Sequence, residues 1–469
     1  MFLKKYKRIS VVTTGIILLF GPAFGAEFKK LSERMFIEGR NNIDIGIKHA
    51  TEALNKWTPA DGTREKSIVF GFRGDMYHTK QLYDNAISDY TESIRLNKKN
   101  AISFHGRASA YLRKALRNVT LDSDSKSKLY DKALDDETED LRLGLHDTPY
   151  SYNAFFQRGE IYFIKRLYDK AVEDFTKGLE LKPNVAHAWG KRGSCYVELG
   201  VYDKAIEDYS KNIELDGANF RAIHDRGVCY FFESRFDDAI ADFSNAIKLD
   251  LTLNEGYLNR AASYLQKGLY DKAIEDFKKS IALDPTTEYS VAYLGFAYFL
   301  QGNYNDAIES FNKVTAINRE SPLRGKAYWQ KILVYKEMKN NESLNKTLQE
   351  AQRYLEEQIN KHPNVSSNFS DLALIYAEAR TNIEGAVELA ETATRISPNF
   401  ENYCTLGFVY HKKNDLQKVG ECLRKAREYM GKPSEKFPLN GWNWNCFRLS
   451  RAYEEIGDIE KARKIWKLN

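Results

Sequence analysis

Six arginines in this sequence are each matched by an aspartate further along the chain, and such pairs could act as a ladder of fixed charges. In five of them the aspartate follows sixteen residues later, and the full set is Arg73/Asp89, Arg107/Asp136, Arg158/Asp174, Arg192/Asp208, Arg226/Asp242 and Arg260/Asp276. A row of guanidinium groups can bind an acidic ligand through paired hydrogen bonds. Alternatively, each aspartate neutralises its own arginine inside the protein. Because a ligand-binding arginine needs no dedicated carboxylate, the pairing favours structural ion pairs.

Other regions of the chain support this interpretation, because the two residue types are lost together. Where the arginine position holds leucine, the aspartate position also changes, as in Leu294/Ser310, Leu406/Cys422 and Leu449/Ile465. This variation within one chain indicates direct contact between the two positions.

Motifs for catalysis or cofactor binding are missing from the sequence. There is no Gly-x-Ser-x-Gly elbow, glycine-rich phosphate loop, His-Glu-x-x-His or Cys-x-x-Cys. The eight histidines are scattered, and His187 and His224 have no third metal ligand nearby in the sequence. The sequence therefore predicts a non-enzymatic protein without catalytic residues, metal or cofactor.

The first 25 residues have the pattern of an export signal. Four basic residues precede the apolar run 9–20, and Ala23 and Gly25 place small residues where a signal peptidase reads the chain. The rival interpretation is an uncleaved anchor, although the run is short for a membrane span. The sequence predicts a periplasmic or secreted protein, or alternatively one anchored by this segment. Removing residues 1–25 lowers the net charge from +5 to +1, so no nucleic-acid partner is expected.

A longer pattern explains how the charged pairs are positioned. The octapeptide YDKAIEDF at residue 270 recurs in related form at 168, 202, 236 and 304, always 34 residues apart. Upstream of each copy, apolar and small residues follow helical spacing, as in Trp189, Gly193 and Tyr196. A turn separates the two helical segments. Each unit is therefore predicted to be a helical hairpin that buries its apolar face by stacking on its neighbours.

These residues resemble the tetratricopeptide repeat, whose 34-residue unit has small residues at positions 8, 20 and 27 and aromatic residues at 11 and 24. Units beginning at 67, 152, 186, 220, 254 and 288 fit this pattern closely, and degenerate units extend it to about twelve. The resemblance implies an all-α solenoid of stacked hairpins that forms a right-handed superhelix. A polar insertion at 117–128 is expected to loop out between the helices of one unit.

The repeat pattern also predicts the organisation of the chain. The predicted segments are 1–25 (signal or anchor), 27–66 (degenerate first repeat), 67–321 (core array), 322–433 (degenerate repeats) and 434–469 (turn-rich linker and truncated last repeat). The truncated repeat lacks a polar capping helix, which favours assembly or homo-oligomerisation through that end. Cys195 and Cys229 occupy equivalent sites about 10 Å apart, beyond disulfide reach, and are predicted to be small core residues.

In this family the first helices line a concave groove. The usual carboxylate clamp needs Asn at position 9, and no unit of the core array has it. Apolar residues instead occupy predicted groove positions in the central units, namely Phe156, Phe163, Phe231, Phe232, Phe296, Phe299 and Trp329. We expect these to bind hydrophobic side chains of a partner. Replacing Phe156, Phe296 and Trp329 by serine is then expected to weaken binding without loss of stability.

Together these features predict a scaffold that binds a protein or peptide partner in the groove. The alternative is an assembly or regulatory subunit of an envelope enzyme or secretion complex. Membrane contact is expected only through the N-terminal segment, if that segment is uncleaved.

Overall fold

The fold is an array of antiparallel helix pairs. A computed structural model describes residues 26–39, 42–143, 151–317, 321 and 323–429, and every regular element in this part of the chain is helical. In each hairpin the first helix has an odd number and the second an even one. The α-helices are α1 (Ala26–Glu38), α2 (Ile43–Lys56), α3 (Thr63–Thr79), α4 (Tyr83–Leu96), α5 (Ala101–Arg117), α6 (Ser123–Arg142), α7 (Ser151–Ile164), α8 (Tyr168–Leu181), α9 (Ala186–Glu198), α10 (Tyr202–Leu215), α11 (Phe220–Phe232), α12 (Phe236–Leu249), α13 (Asn254–Gln266), α14 (Tyr270–Leu283), α15 (Glu288–Gln301), α16 (Tyr304–Ile317), α17 (Leu323–Glu337), α18 (Asn341–Lys361), α19 (Ser366–Ala379), α20 (Ile383–Ile396), α21 (Phe400–Lys412) and α22 (Leu416–Tyr429).

The chain divides into two compact units, and the division lies inside α9, within the predicted core array. The N-terminal unit comprises residues 1–195, and the C-terminal unit comprises residues 196–469. Within each unit the two helices of a hairpin pack together, and the hairpin stacks on the next hairpin of the same unit. The predicted boundaries at 66/67 and 321/322 remain predictions.

Small residues allow the two helices of a hairpin to approach closely. The alanine at repeat position 20 is fully buried in seven hairpins, at residues 86, 133, 171, 205, 239, 273 and 307. At position 8, a Cβ added to Gly74 would lie 2.9 Å from the Tyr90 ring. A Cβ on Gly295 would lie 2.6 Å from the Phe311 ring. The glycines therefore face the aromatic residues at position 24, and a larger side chain would separate the helices.

The predicted loop at 117–128 is only partly a loop, and this prediction was wrong for its second half. The connection covers residues 118–122, and Ser123 already begins the 20-residue helix α6. The Asp122 side chain accepts a hydrogen bond from the backbone N–H of Ser125 at 2.6 Å, so it caps the helix. Polar residues after such a cap suit an exposed helical turn as well as a loop.

Several predictions lie outside the described residues. These concern the export signal at 1–25, the truncated repeat at 434–469 and Cys446. Cys195 and Cys229 are both buried, and neither forms a disulfide within the described residues. Among the helices in the described ranges, none combines the length and the apolar character required to cross a bilayer.

Candidate functional site

Five of the six predicted Arg–Asp pairs are formed as bidentate ion pairs within one hairpin. In the first, Arg73 Nε donates to Asp89 Oδ2 at 2.7 Å and Nη2 donates to Oδ1 at 2.8 Å. Arg158 and Asp174 have the same two distances, 2.7 and 2.8 Å. The remaining bidentate pairs are Arg107/Asp136, Arg226/Asp242 and Arg260/Asp276.

The pair at Asp242 shows the same geometry in the C-terminal unit. Arg226 Nε donates to Asp242 Oδ2 at 2.8 Å, and Arg226 Nη2 donates to Asp242 Oδ1 at 2.8 Å. Arg192 and Asp208 belong to different units, and their pairing remains a prediction.

A third hydrogen bond connects the arginine to the preceding hairpin. Arg226 Nη1 donates to Ser210 Oγ at 3.0 Å, and Arg260 Nη1 donates to Ser244 Oγ at 3.0 Å. Thr51, Thr91 and Thr176 accept in the same way from Arg73, Arg107 and Arg192. We call this arrangement of arginine, aspartate and upstream hydroxyl the arginine clamp. It connects the second helices of two consecutive hairpins.

The aspartates of the six predicted pairs are buried, which is expected of structural ion pairs and not of an open row of arginines that binds an acidic ligand. Asp242 is only 5% exposed, and the others are equally or more deeply buried, namely Asp89, Asp136, Asp174, Asp208 and Asp276. An acidic ligand would have to displace these carboxylates from the arginines, whose side chains are only 16–22% exposed in the five pairs. The alternative of an open charged ladder is wrong, because these carboxylates lie between the helices of the array.

The electrostatics of the clamp also indicate a structural role. Burial raises the pKa of Asp89, and the hydrogen bond from Arg73 offsets part of this rise. The clamp arginines lie near aromatic rings, as Arg260 does with Tyr257 and Tyr264. Because its own aspartate already occupies the bidentate edge of each of these five guanidinium groups, that edge is not offered to an acidic ligand.

Three residues predicted to line the open groove are instead core residues, and this prediction was wrong. The exposed fraction is 1% for Phe231, 2% for Phe296 and 2% for Trp329. All three belong to one apolar cluster in the C-terminal unit, together with Leu333 and Phe408. Their burial predicts that replacing Phe296 and Trp329 lowers stability, contrary to the expectation from the sequence.

The physical reason is that first helices of the C-terminal unit pack against one another. Helix α19 contacts both α17 and α21, and α15 contacts α17. Lys326 Nζ of α17 lies 2.9 Å from Glu401 Oε1 of α21, two hairpins further along. Consecutive residues are buried at 290–297, 327–334, 370–375 and 404–410. Helices that are buried all round belong to a core and leave no open face here.

The other four predicted groove residues are half-buried against rings of their own unit. Phe163 packs edge-on against Tyr168 with centroids 5.5 Å apart, and Phe299 lies 6.1 Å from Tyr304. Phe232 stacks on Tyr202 at 4.8 Å. Phe156 packs on Phe175 at 6.3 Å, where it covers Gly178. Helix-to-helix packing thus accounts for much of the surface of these rings.

The N-terminal unit has a different first-helix face, which we define by repeat positions 2, 5, 6, 9, 12 and 13 of α3, α5, α7 and α9. Asp75, Thr79, Arg113, Asn153 and His187 are exposed on this face. His187 Nε2 lies 3.2 Å from Glu160 Oε1. Burial would raise the pKa of Glu160, but His187, Lys191 and Arg113 outweigh this effect and lower it. The face carries exposed polar side chains beside the half-buried Phe156 and Phe163, and it is locally cationic near Glu160.

A buried charged cluster lies beside this face, in the α5/α6 hairpin. His105 Nδ1 lies 2.9 Å from Glu137 Oε1 and 4.0 Å from Asp140 Oδ2. Gln157 Nε2 donates to the same Glu137 oxygen at 2.8 Å. The three groups His105, Glu137 and Asp140 have the separations of metal ligands. These residues were not predicted from the sequence, because His105 lies 32 residues before Glu137 and no short metal-binding motif contains them.

Two opposing effects determine the pKa values in the cluster, namely burial and the charges of the neighbouring groups. Burial raises the pKa of Glu137 to about 7, although His105 acts to lower it. Burial lowers the pKa of His105, but the charges of Glu137, Asp140 and Asp75 outweigh this and raise it to about 9. Nearby, Tyr90 donates to Asp75 Oδ1 at 2.6 Å. The protein atoms that crowd Asp75 raise its pKa to about 6, although the residue still contacts solvent.

Family comparison agrees with this architecture. Two models of the tetratricopeptide repeat match the sequence, one at residues 152–185 and 255–287, the other at 69–100, 186–219 and 294–321. The chain is a tetratricopeptide-repeat protein. No curated protein matches it in sequence.

Solved structures of tetratricopeptide-repeat proteins are similar to parts of this one. MamA is 28% identical with a TM-score of 0.33, over 34% of this chain and 93% of MamA. YrrB, described as a TPR protein with an unusual peptide-binding site, is 22% identical with a TM-score of 0.37, over 43% of this chain and 95% of its own. PilF of Pseudomonas aeruginosa is 18% identical with a TM-score of 0.37, over 48% of this chain and 96% of its own.

Proposed function

We propose that this tetratricopeptide-repeat protein is a scaffold that binds a segment of a partner protein along the first-helix face of its N-terminal unit. The observation that carries the proposal is the exposure of polar side chains on that face. In the C-terminal unit the apolar residues predicted to bind a partner are buried or packed against other rings. A partner for the N-terminal face would therefore be recognised by charge and hydrogen bonds.

The charges on the face indicate an acidic side chain in the partner segment. Arg113 is exposed at position 13 of α5, and Lys191 lies at position 6 of α9. Neither forms a salt bridge within the described part of the chain, although both act electrostatically on Glu160. An incoming carboxylate could pair with these cations. The proposed partner therefore presents aspartate or glutamate at this point.

Charge reversal tests this recognition. The double variant Arg113→Glu/Lys191→Glu should lose partner capture, because the carboxylate is then repelled. The matched control is Lys98→Glu/Lys99→Glu, which changes the net charge equally in the α4–α5 connection, away from the first-helix face. Both doubles should keep the helical circular dichroism signal. Equal capture by the two doubles would contradict the proposal.

Site-specific photo-crosslinking locates the bound segment. A photoreactive residue at Asn153, on the first-helix face, should give adducts with the partner in cells. The same residue at Glu173, exposed on the second helix α8, should give none. The Asn153 adducts should disappear in the Arg113→Glu/Lys191→Glu background. Adducts from Glu173 alone would place the interface on the opposite helices.

We also propose that the mature chain acts outside the cytoplasm, since residues 1–25 have the composition of a signal. Mass spectrometry of the protein from fractionated cells should find a mature N-terminus at Ala26. Recovery of the uncleaved chain from the cytosol would contradict export.

A further inference from the structure

Repeat positions 5, 24 and 27 meet in the core of a hairpin. In the α7/α8 hairpin they are Phe156, Phe175 and Gly178. The two rings lie 6.3 Å apart, and a Cβ on Gly178 would lie 2.3 Å from the Phe156 ring. In the α11/α12 hairpin they are His224, Phe243 and Ala246, with the imidazole 5.4 Å from the Phe243 ring. These three positions form an apolar or neutral contact in both hairpins.

The α5/α6 hairpin places two carboxylates at the same positions. Position 24 is aromatic in the other hairpins of the core array, at Tyr90, Phe175, Tyr209, Phe243, Phe277 and Phe311. Here it is Glu137, whose side chain is completely buried. Position 27 is small or uncharged elsewhere, and here it is Asp140, whose side chain is 10% exposed. One hairpin thus brings together an imidazole and two carboxylates, which are side chains that commonly bind metal ions.

We propose that His105, Glu137 and Asp140 bind a divalent transition-metal ion, with zinc as the best match. The chemistry of the three groups supports this class of ion. An imidazole nitrogen and two carboxylate oxygens suit zinc and its neighbours, whereas calcium and magnesium prefer oxygen ligands alone. A doubly charged cation would balance both carboxylates.

The geometry requires little rearrangement. Metal–ligand bonds of about 2.1 Å place tetrahedral ligand atoms about 3.4 Å apart and octahedral ones about 3.0 or 4.2 Å apart. His105 Nδ1 lies 2.9 Å from Glu137 Oε1 and 4.0 Å from Asp140 Oδ2. All three ligand atoms lie within 4.8 Å of one another.

The surroundings of the site also suit an ion. Gln157 donates to Glu137 Oε1 at 2.8 Å and so orients this carboxylate, as partners of metal ligands commonly do. One third of the His105 side chain (33%) is exposed, which gives an ion a route from solvent. The remaining coordination positions would be open to water or to a partner's side chain.

Metal analysis of the full-length chain, prepared without a polyhistidine tag, tests the proposal. After treatment with EDTA and dialysis against zinc, the protein should retain one zinc ion per chain in a large excess of magnesium. The variant Asp140→Ser introduces the residue found at Ser93 and Ser280, and His105→Phe introduces that of Phe156. Each should weaken zinc binding about a hundredfold or more. His224→Phe, in the hairpin where positions 24 and 27 are Phe243 and Ala246, should bind zinc as tightly as the unaltered chain.

Two further readouts separate loss of a ligand from loss of folding. Cobalt bound to the unaltered chain should give a visible absorption spectrum that both cluster variants lack. Zinc should raise the melting temperature of the unaltered chain and of His224→Phe, but not of the two cluster variants. The proposal is overturned if the chain retains no zinc, or if folded Asp140→Ser and His105→Phe proteins bind zinc unchanged.

Discussion

The first-helix faces of the two units differ in solvent exposure, although both are built from the same repeat. In the N-terminal unit the face is open, with Asp75, Arg113 and His187 exposed and Phe156 and Phe163 only half-buried. In the C-terminal unit the equivalent positions hold Phe231, Phe296 and Trp329, which are buried among neighbouring first helices. The difference shows that an apolar residue at a groove position does not by itself indicate a binding site. Its role depends on whether first helices further along the chain pack over it.

The largest expected effect comes from the buried face of the C-terminal unit. Trp329→Ala should lower the free energy of unfolding by about 3–5 kcal/mol, because it removes a fully buried ring and leaves a cavity. Asn153→Ala, on the open face of the N-terminal unit, should change it by less than about 0.5 kcal/mol. Urea denaturation followed by circular dichroism measures both. A stable, fully helical Trp329→Ala protein would mean that this ring is not part of the core.

The arginine clamp should contribute similarly to stability in both units. The contrast between the units is then limited to their first-helix faces. Asp174→Ala and Asp276→Ala should each lower the free energy of unfolding by about 3 kcal/mol, since each leaves a largely buried arginine without its carboxylate. The double change Arg260→Leu/Asp276→Ser introduces the residues found at the equivalent positions Leu294 and Ser310. It should lower the free energy of unfolding by about 1 kcal/mol or less. The same denaturation experiment applies. If the double variant were as unstable as Asp276→Ala, an uncompensated charge would not be the cause.

Dependence on pH should be concentrated in the N-terminal unit. In metal-free protein kept in EDTA, Glu137 has a pKa raised to about 7 and His105 a pKa raised to about 9. Both groups hold a proton more tightly in the folded state than in the unfolded state. Stability should therefore be greatest near pH 5 and fall as the pH rises to about 9.

The variant Glu137→Phe, which restores the usual aromatic residue, should flatten this profile. Thermal melting of both proteins in EDTA across this pH range is the measurement. A profile that rises between pH 5 and 9, or that the substitution leaves unchanged, would contradict the assignment.

The smallest effect concerns the upstream hydroxyl of the clamp. Ser244→Ala removes the acceptor for Arg260 Nη1 and should lower the free energy of unfolding by about 0.5–1.5 kcal/mol. Lys278→Ala is the matched control, because Lys278 occupies the same repeat position but the next hairpin has Leu294 instead of arginine. This control should remain within about 0.5 kcal/mol of the unaltered chain. Equal losses in the two variants would show that the hydroxyl contributes nothing specific.

The local features of the fold were predictable because they repeat. The 34-residue period predicts the hairpins, and the matched loss of arginine and aspartate predicts contacts such as that of Arg158 with Asp174. The clamp hydroxyl was also visible in the sequence. Thr91, Thr176, Ser210 and Ser244 each precede a clamp arginine by sixteen residues, and Lys278 precedes Leu294 by the same interval.

The closed face of the C-terminal unit was not predictable in this way. Phe296 and Trp329 are buried by helices one or more hairpins away, as the contact between Lys326 and Glu401 illustrates. Repeat spacing defines which residues share a helix face, but it does not specify how tightly successive first helices approach. The cluster of His105, Glu137 and Asp140 was hidden for a different reason, since its histidine lies 32 residues from Glu137 and no short motif contains all three residues.

Hydroxyl-radical footprinting of the folded chain tests the contrast between the two faces most directly. Phe163 and Phe231 occupy the same repeat position, one in each unit, so their intrinsic reactivities are matched. We predict that Phe163, which is half-buried, is oxidised several-fold faster than Phe231, and that Phe296 and Trp329 are protected until the chain unfolds. Oxidation of Phe231, Phe296 and Trp329 in the native protein at the rate of Phe163 would contradict the account, because the C-terminal face would then be open.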